Sequence, residues 1–339
     1  MTAVADARPR LPLAVDPLAL ALNENPYPPL PTVQSAIVAS LHAANRYPEF
    51  LPERLRAVIA THIGVPEEQV ILGAGATGVL MQVLQAITDR GDRIVIADPT
   101  FEGYPIVAAM NRLELVRIPL TASGHHDLAE MVAAGQTARV VVLCRPHNPT
   151  GTIEPGYAVE ALLNSLPTDT VVVLDEAYVE FVAPSARINS PALVQRFPNV
   201  IVLRTFSKAY GLAGLRIGYG FGSPELAARL WAMQLPFGTS ITSLLAVEAS
   251  YRAEAQLRHR IRKITAERHV LRACLQAIGI NSADGHANFL YLPAAGHCWR
   301  EVFDGSGVRV KYCPGGGVRL SVGDRSSTEA VLAVLRARV

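Results

Sequence analysis

Lysine is rare in this chain of 339 residues, and one lysine stands in a setting that suits covalent chemistry. The three lysines are Lys208, Lys263 and Lys311, and arginine supplies most of the remaining positive charge. A lysine amine can lose its proton and form an imine with an aldehyde, which an arginine cannot do. Lys208 lies just after a short apolar run and just before a glycine-rich turn, so it is the candidate for a covalent anchor.

The residues around Lys208 are suited to hold a phosphate ester. Thr205 and Ser207 offer hydroxyl groups, and Arg216 follows the glycine-rich turn. Hydroxyl and guanidinium groups donate to phosphate oxygens, and a neighbouring cation disfavours the ammonium form of a lysine. An aldehyde that carries a phosphate is pyridoxal phosphate, and the segment therefore predicts this cofactor.

Two other segments place polar side chains where predicted buried strands end. Asp175 closes an apolar run at the edge where α/β sheets usually open their ligand sites. Its carboxylate is suited to pair with the pyridinium nitrogen, which keeps the ring able to accept electrons. Tyr178 and the side-chain amide of Asn148 are suited to donate to the ring phenolate. The polar residues of both segments thus fit the same cofactor.

The glycine-rich segment from Gly73 to Gly78 has two interpretations. It follows a predicted strand and opens a helix, so its backbone amides can cradle a phosphate. Its letters also fit the G-x-G-x-x-G pattern of nicotinamide dinucleotide sites, with Asp98 at a strand end about twenty residues later. An NAD-dependent oxidoreductase is therefore an alternative, but it leaves Lys208 and Asp175 unexplained.

Composition excludes several classes of protein. Half of the residues are hydrophobic and the formal net charge is only +2, which favours a large core and gives no support for a nucleic-acid partner. The apolar runs are too short to span a membrane, and no secretion signal is visible, so we expect a cytoplasmic protein. The four cysteines are widely spaced, and we expect neither a disulfide nor a metal site.

The spacing of apolar runs predicts an α/β fold with two domains. Short β-branched runs alternate with helix-length stretches between residues 70 and 220, as in a mainly parallel sheet covered on both faces. Long helical stretches and then short strands follow from about residue 240. We therefore predict an N-terminal segment over 1–30 that packs on the small domain and on a dimer partner, a three-layer αβα large domain over 31–240, and a smaller α+β C-terminal domain over 241–339.

Seven short motifs follow one another along the chain: Asn23–Tyr27, Asn45–Glu49, His147–Gly151, Asp175–Tyr178, Leu203–Arg216, Ala287–Phe289 and Val318–Leu320. In this order they resemble the fold-type I, class I/II aminotransferases of the histidinol-phosphate and aromatic amino acid group. The resemblance covers nearly the whole chain. It implies a ping-pong transamination with pyridoxal phosphate as cofactor.

The resemblance also implies roles for individual residues at the cofactor. Lys208 is expected to be the covalent anchor and proton shuttle, with Asp175 and Tyr178 as the other catalytic residues. Phe101 is expected to stack on the ring. The phosphate is expected to be held by Gly75, Ala76, Thr77, Thr205, Ser207 and Arg216, and by Tyr47 of a neighbouring subunit. The contribution of Tyr47 implies a homodimer.

For the substrate, the resemblance implies that Arg319 clamps a carboxylate or phosphate, with Asn25, Tyr27, Asn288 and Lys311 as further contacts. Two residues depart from the usual pattern: His147 replaces an asparagine, and Lys311 replaces an arginine that binds phosphate in the histidinol-phosphate enzymes. We therefore predict transfer between a phenylalanine-like amino acid and a 2-oxo acid such as 2-oxoglutarate. The alternatives are histidinol-phosphate aminotransferase, a decarboxylase or oxidase on the same scaffold, and a non-enzymatic effector-binding domain.

Overall fold

The computed structural model describes residues 11–339. A seven-stranded sheet with helices on both faces forms the larger part of the molecule, and a three-stranded antiparallel sheet with its own helices forms the smaller part. The predicted α/β architecture is therefore confirmed. No helix among residues 11–339 combines the length and the apolar character that crossing a membrane requires.

The strands are β1 (Val70–Gly73), β2 (Arg93–Asp98), β3 (Glu114–Pro119), β4 (Val140–Cys144), β5 (Val171–Asp175), β6 (Val200–Thr205), β7 (Gly218–Gly222), β8 (Phe289–Leu292), β9 (Lys311–Tyr312) and β10 (Val318–Ser321). The helices are α1 (Pro31–Ser40), α2 (Glu53–Ile63), α3 (Gly75–Ile87), α4 (Gly103–Met110), α5 (Leu128–Gly135), α6 (Gly156–Ser165), α7 (Ser190–Arg196), α8 (Pro224–Trp231), α9 (Ile241–Arg252), α10 (Glu254–Ala277), α11 (Trp299–Phe303) and α12 (Arg325–Arg338).

The large sheet has the order β1-β7-β6-β5-β4-β2-β3, and the five strands from β6 to β3 run parallel. Its central strands are continuous apolar runs because both faces are covered. Alternate residues of β4 and β5 point into two separate cores. One lies beneath α1, α2, α5, α6, α7 and α9, and the other lies beneath α3, α4 and α8. Because these strands run parallel, their carboxyl ends meet at one edge of the sheet, where loops can carry a site.

Strand β7 was not predicted. It runs antiparallel between β1 and β6, and it has glycine at three of its five positions. A Cβ atom on Gly218 would lie 2.5 Å from the backbone nitrogen of Ala76 and from the carbonyl carbon of Gly75. Glycine is therefore required where the start of α3 crosses the sheet, and this requirement removes the β-branched residues that usually indicate a strand.

The smaller part of the molecule packs around β8, β9 and β10, with α10, α11 and α12 over them. The N-terminal segment joins it through Leu20, whose side chain enters that core, and through a parallel bridge between Ala19 and Arg309. Helix α9 and the first turn of α10 pack instead with the core of the large sheet. The division at residue 241 stays a prediction, and this packing favours a boundary farther along, inside α10.

Candidate active site

A cavity of about 410 Å³ opens at the carboxyl edge of the large sheet. Residues that follow β2, β4, β5 and β6 line it from the large domain, and Lys311 and Arg319 line it from the small domain. Of the seventeen residues predicted to form the site, Ala76, Thr77, Phe101, Asn148, Asp175, Tyr178, Thr205, Ser207, Lys208, Arg216, Lys311 and Arg319 line this one cavity. Most of the predicted residues thus converge although they come from distant parts of the chain.

Lys208 lies in the loop after β6, with its amine at the cavity. Its Nζ donates to the carbonyl oxygen of Leu22 at 2.9 Å. Burial, assisted by the guanidinium of Arg319, lowers the pKa of Lys208 to about 8. The side-chain amide of Asn25 donates to the carbonyls of Lys208 at 3.2 Å and Ala209 at 2.9 Å, which fixes the backbone of this loop. The amine is therefore held in place and is easily deprotonated.

Asp175 ends β5 and is buried below the cavity. Burial raises the pKa of the Asp175 carboxyl above its ordinary value, against hydrogen bonds that favour the charged form. These bonds come from the Tyr104 hydroxyl to Oδ2 at 2.6 Å and from the Ala177 amide to Oδ1 at 3.0 Å. A buried carboxyl with a raised pKa is suited to a cationic partner in the cavity, such as a pyridinium nitrogen.

Asn148, Tyr178 and Arg319 form the wall next to Asp175. Arg319 donates from Nη1 to Oδ1 of Asn148 at 2.5 Å and from Nη2 to the carbonyl of Ala21 at 2.6 Å. Since Oδ1 of Asn148 accepts from Arg319, its amide nitrogen is left to donate to other acceptors. The Tyr178 hydroxyl accepts from Asn23 Nδ2 at 3.0 Å, and burial raises the pKa of Tyr178 to about 12. Tyr178 is therefore a neutral donor at physiological pH.

The opposite end of the cavity is a cluster of donors. The Thr205 hydroxyl donates to Ser207 Oγ at 2.9 Å, and the Arg216 guanidinium lies 3.4 Å from the same oxygen. The start of α3 faces them, with Gly75 at φ +74°. A Cβ atom on Gly75 would lie 2.6 Å from Nη2 of Arg216, so only glycine leaves room for this approach. Hydroxyl, guanidinium and helix amide groups around one space fit a phosphate.

Backbone conformation also distinguishes this cavity. Asn23 and Arg216 line it, and both adopt positive φ angles of 54° and 50°. Such angles are uncommon outside glycine and recur where a site imposes its own geometry. Asparagine accepts the left-handed conformation more readily than arginine does, so the packing around Arg216 must hold this residue in place. The arrangement orients the guanidinium towards the phosphate end.

Five of the predicted site residues do not line the cavity. Gly75 lies beneath it against Arg216, and Asn25 holds the backbone of the Lys208 loop. Asn288 is fully buried and donates to the carbonyl of Asn23 at 3.0 Å. Tyr27 packs beneath Arg260 and Lys263 in a separate groove beside the N-terminal segment. Tyr47 is exposed and stacks on Phe237, with 4.8 Å between ring centroids.

His147 also points away from the cavity. It is fully buried, its Nδ1 pairs with the Thr150 hydroxyl at 2.9 Å, and its ring meets the edge of His126 at 4.5 Å between centroids. Burial lowers the pKa of His147 well below its ordinary value. These contacts favour a packing role in the turn that carries Asn148, rather than a role in proton transfer.

Sequence reasoning missed Tyr104, Asn23 and Glu102. Tyr104 donates a hydrogen bond to Asp175, and Asn23 donates one to Tyr178. Glu102 forms an ion pair with Lys311 at 2.5 Å. Asn23 lies within a quoted motif and was available as a signal. Tyr104 and Glu102 lie close to the predicted Phe101, but nothing local in the sequence indicates which distant residues they contact.

The topology excludes the dinucleotide interpretation of Gly73–Gly78. In a dinucleotide-binding unit the strand before the glycine-rich turn pairs in parallel with the strand after the helix. Within residues 11–339, β1 pairs only with the antiparallel strand β7, and β2 lies near the opposite edge of the sheet. The carboxyl edge of this sheet instead carries a lysine, a buried carboxyl and a cluster of phosphate-binding donors, with a small domain over them. This combination defines the fold-type I class of pyridoxal-phosphate-dependent enzymes.

Comparison with known proteins identifies the family. Residues 15–335 match the model of aminotransferase class I and II, and the chain therefore belongs to this family. Its predicted enzyme class, an aminotransferase, and its predicted cofactor, pyridoxal phosphate, are thereby confirmed. The roles of individual residues stay predictions.

Similar proteins come from several bacteria. The chain is 38% identical to the aromatic amino acid aminotransferase of Streptomyces coelicolor, over 96% of this chain and 93% of that protein. It is 41% identical to the protein of the same name from Corynebacterium efficiens, over 83% of this chain and 81% of that protein. It also resembles the crystal structure of histidinol-phosphate aminotransferase from Sinorhizobium meliloti in complex with pyridoxal 5'-phosphate, with a TM-score of 0.86, 27% identity, and coverage of 95% of this chain and 92% of that one.

Proposed function

We propose that this enzyme transfers the amino group of an aromatic L-amino acid, such as phenylalanine, to a 2-oxo acid such as 2-oxoglutarate. One observation carries the proposal: an easily deprotonated lysine, a buried carboxyl and a buried arginine face one cavity whose remaining wall is largely apolar. The names of the relatives from Streptomyces coelicolor and Corynebacterium efficiens support the aromatic substrate.

The residues present fit pyridoxal phosphate at both ends of the cavity. Thr205, Ser207, Arg216 and the amides at the start of α3 would hold its phosphate, and Asp175 would pair with its ring nitrogen. When bound, the cofactor supplies an electron sink for the pair released at Cα of the amino acid. The carboxylate of Asp175 would stabilise a protonated ring nitrogen, and the hydroxyl of Tyr178 and the amide of Asn148 would donate hydrogen bonds to the ring oxygen.

Lys208 would move the proton. At neutral pH a lowered pKa gives a useful fraction of neutral amine, and this amine can remove a proton from Cα and return it elsewhere. Loss of the hydrogen bond from Nζ to the Leu22 carbonyl would free the amine to turn towards the substrate. Asn25 holds the backbone behind it, which limits the movement to the side chain.

The substrate would be oriented by one cation and one apolar wall. Arg319 is buried, and its planar guanidinium is suited to a carboxylate. Leu22, Leu80, Pro99 and Phe101 contribute apolar surface to the same cavity. An aromatic side chain placed there would lose contact with water, which stabilises the complex by about 1.5–3 kcal/mol for a fully buried group.

Histidinol-phosphate transamination is the second candidate. The solved neighbour from Sinorhizobium meliloti favours it, and Lys311 provides a cation in the cavity wall. However, Lys311 pairs with Glu102, and a lysine offers a point charge rather than the two-pronged geometry of an arginine. These two features make a phosphate substrate the weaker proposal.

We further propose that two copies of the chain form the active enzyme, with Tyr47 of each copy reaching the phosphate end of the other. Tyr47 is 81% exposed, and it forms an exposed aromatic cluster with Phe50 and Phe237. Contiguous exposed apolar surface of this kind marks an interaction site. The exposure supports a partner, since Tyr47 does not line the cavity of its own chain.

The absorption spectrum of the cofactor-loaded protein tests the proposed function. Phenylalanine should remove the visible band of the bound cofactor, and 2-oxoglutarate should restore it. Lys208→Ala should lower the rate of both changes by about 10²–10⁴-fold, the usual contribution of a positioned acid or base. Lys263→Ala, at an exposed lysine, is the matched control and should behave like the natural protein. A response to histidinol phosphate without one to phenylalanine would reverse the order of the two candidates.

A further inference from the structure

An ion pair between the two domains lies in the wall of the cavity. Nζ of Lys311, on β9, lies 2.5 Å from Oε1 of Glu102, the residue before α4. Both residues line the cavity, and Glu102 directly follows Phe101, which belongs to the apolar wall. The pair therefore lies beside the apolar wall that we propose for the substrate side chain.

Lys311 stands directly opposite Arg319 in the antiparallel pairing of β9 and β10. Opposed residues in such a pair lie on the same face of the sheet with Cβ atoms about 4.5–5.5 Å apart, and like charges there destabilise each other. Glu102 supplies the negative charge that offsets this repulsion. Two neighbouring cations, Lys311 and Arg319, thus face the cavity, and Lys311 is paired with Glu102.

Other cations at the cavity are held by the large domain or at its phosphate end. Arg216 interacts with Ser207 and with the carbonyl of Ala213. Arg117, on β3 of the large domain, lies 3.5 Å from the carboxylate of Asp98. Lys311 is the cavity cation that shares a strand pair with the proposed carboxylate clamp, so its position suits the second carboxylate of a short dicarboxylate.

The Glu102–Lys311 pair is easily exchanged. The side chains are 66% and 34% exposed, and ion pairs of this exposure contribute little net stability. A substrate carboxylate could therefore take the place of Glu102 at little cost. With an apolar side chain in the cavity, Glu102 keeps Lys311 paired, so that no uncompensated cation faces the aromatic ring.

Resting on the proposed function, we propose that Glu102 is a specificity-determining residue of this site. It holds Lys311 while an aromatic side chain is bound, and it gives up Lys311 to the distal carboxylate of a dicarboxylic 2-oxo acid. One cavity can then accept both partners of the reaction, one apolar and one acidic, without a change in the residues that line it.

Binding of unreactive acids tests this proposal without turnover. The probes are glutarate, which has two carboxylates, and 3-phenylpropanoate, which has one carboxylate and a phenyl ring. Calorimetric titration of the cofactor-loaded protein gives the ratio of their dissociation constants. Glu102→Gln should favour glutarate about tenfold relative to the natural protein, and Lys311→Gln should disfavour it about tenfold. Arg196→Gln removes the cation of an exposed ion pair with Glu160 outside the cavity. It is the matched control, and its ratio should change less than about twofold.

The double variant decides whether Glu102 acts through Lys311. If it does, adding Glu102→Gln to Lys311→Gln should change the ratio no further, because the cation that Glu102 occupies is gone. An unchanged ratio in the single Glu102→Gln variant, or an equal effect with and without Lys311, would overturn the proposal. Failure of phenylalanine to change the cofactor spectrum would count against the proposed function instead, since binding of the probes needs no reaction.

Discussion

At the scale of single residues, the protonation of Lys208 governs its chemistry. Burial lowers the pKa of the amine to about 8, and only the neutral amine attacks an aldehyde. We expect the cofactor-free protein to capture pyridoxal phosphate at a rate that rises with pH up to about 8 and then levels off. Stopped-flow absorbance across this range measures the rate. A rise that continues to about pH 10, as for an ordinary lysine, would contradict the expectation.

Tyr104 should act as a positioning residue for Asp175. Its hydroxyl donates to the carboxylate at 2.6 Å, and this bond lowers the pKa of Asp175 against the effect of burial. Tyr104→Phe should therefore raise the pKa of Asp175, move the acid limb of the pH profile to higher pH and reduce kcat about tenfold, as for a lost hydrogen bond to a charged group. Tyr157→Phe, at an exposed tyrosine, is the control. An acid limb that does not move would mean that Tyr104 serves packing alone.

Local pattern predicted some site residues and missed others for a physical reason. Lys208 and Asn148 follow buried strands and Asp175 ends one, so residue type and position together pointed to the site. Tyr104 meets Asp175 across 71 positions of sequence, and this contact depends on how α4 lies against the sheet. Such a contact depends on tertiary packing, and the residues next to Tyr104 in the sequence do not indicate it.

At the scale of elements, the crossing of α3 over β7 positions the phosphate end of the cavity. Gly218→Ala should push the added Cβ into the backbone at Gly75 and Ala76, 2.5 Å away. We expect a loss of about 1–3 kcal/mol of unfolding free energy, as for other overpacked sites, together with weaker binding of pyridoxal phosphate.

Gly214→Ala is the matched control for this substitution. An added Cβ there meets nothing within 4 Å, so we expect a change of less than about 0.5 kcal/mol. Urea unfolding and cofactor titration compare the two variants. Equal behaviour of Gly218→Ala and Gly214→Ala would show that the crossing tolerates a side chain.

Helices and strands were predictable from the sequence where burial was the main constraint on their residue types. The parallel strands are buried on both faces and are rich in valine, isoleucine and leucine, which marked β4, β5 and β6 in the sequence. Strand β7 is equally buried, but close approach of α3 selects glycine there. In the small domain, β9 has only the two residues Lys311–Tyr312, which is too short for a hydrophobic pattern to mark a strand.

At the scale of the whole molecule, the proposed dimer makes each active site depend on two chains. Lys208→Ala and Tyr47→Ala should each be nearly inactive alone. Mixed after denaturation and refolding, they should recover up to about a quarter of the natural activity, because half of the dimers are hybrids and each hybrid has one intact site. Activity of the refolded mixture, with sedimentation velocity for its mass, measures this. Recovery of no activity from dimeric mixtures would place Tyr47 outside the partner's site.

The overall arrangement was predictable only in part. Alternation of strands and helices predicted the large domain, and the change of pattern near residue 240 predicted the small one. Helix α9 nonetheless packs on α1, because its apolar face completes the core of the large sheet. Amphipathic helices of similar composition occur in both domains, so hydrophobic pattern alone does not assign α9 to either.

Because lysine is scarce in this chain, digestion at lysine can measure how much of a preparation carries the cofactor on Lys208. A lysine-specific endoprotease should cut the chain after residues 208, 263 and 311. If Lys208 anchors the cofactor, borohydride reduction should leave a secondary amine there that the protease does not recognise, and residues 1–263 should stay joined. Mass spectrometry of the digest would then report the occupied fraction of any preparation, from a bacterial extract to an aged stock, without an assay or a substrate.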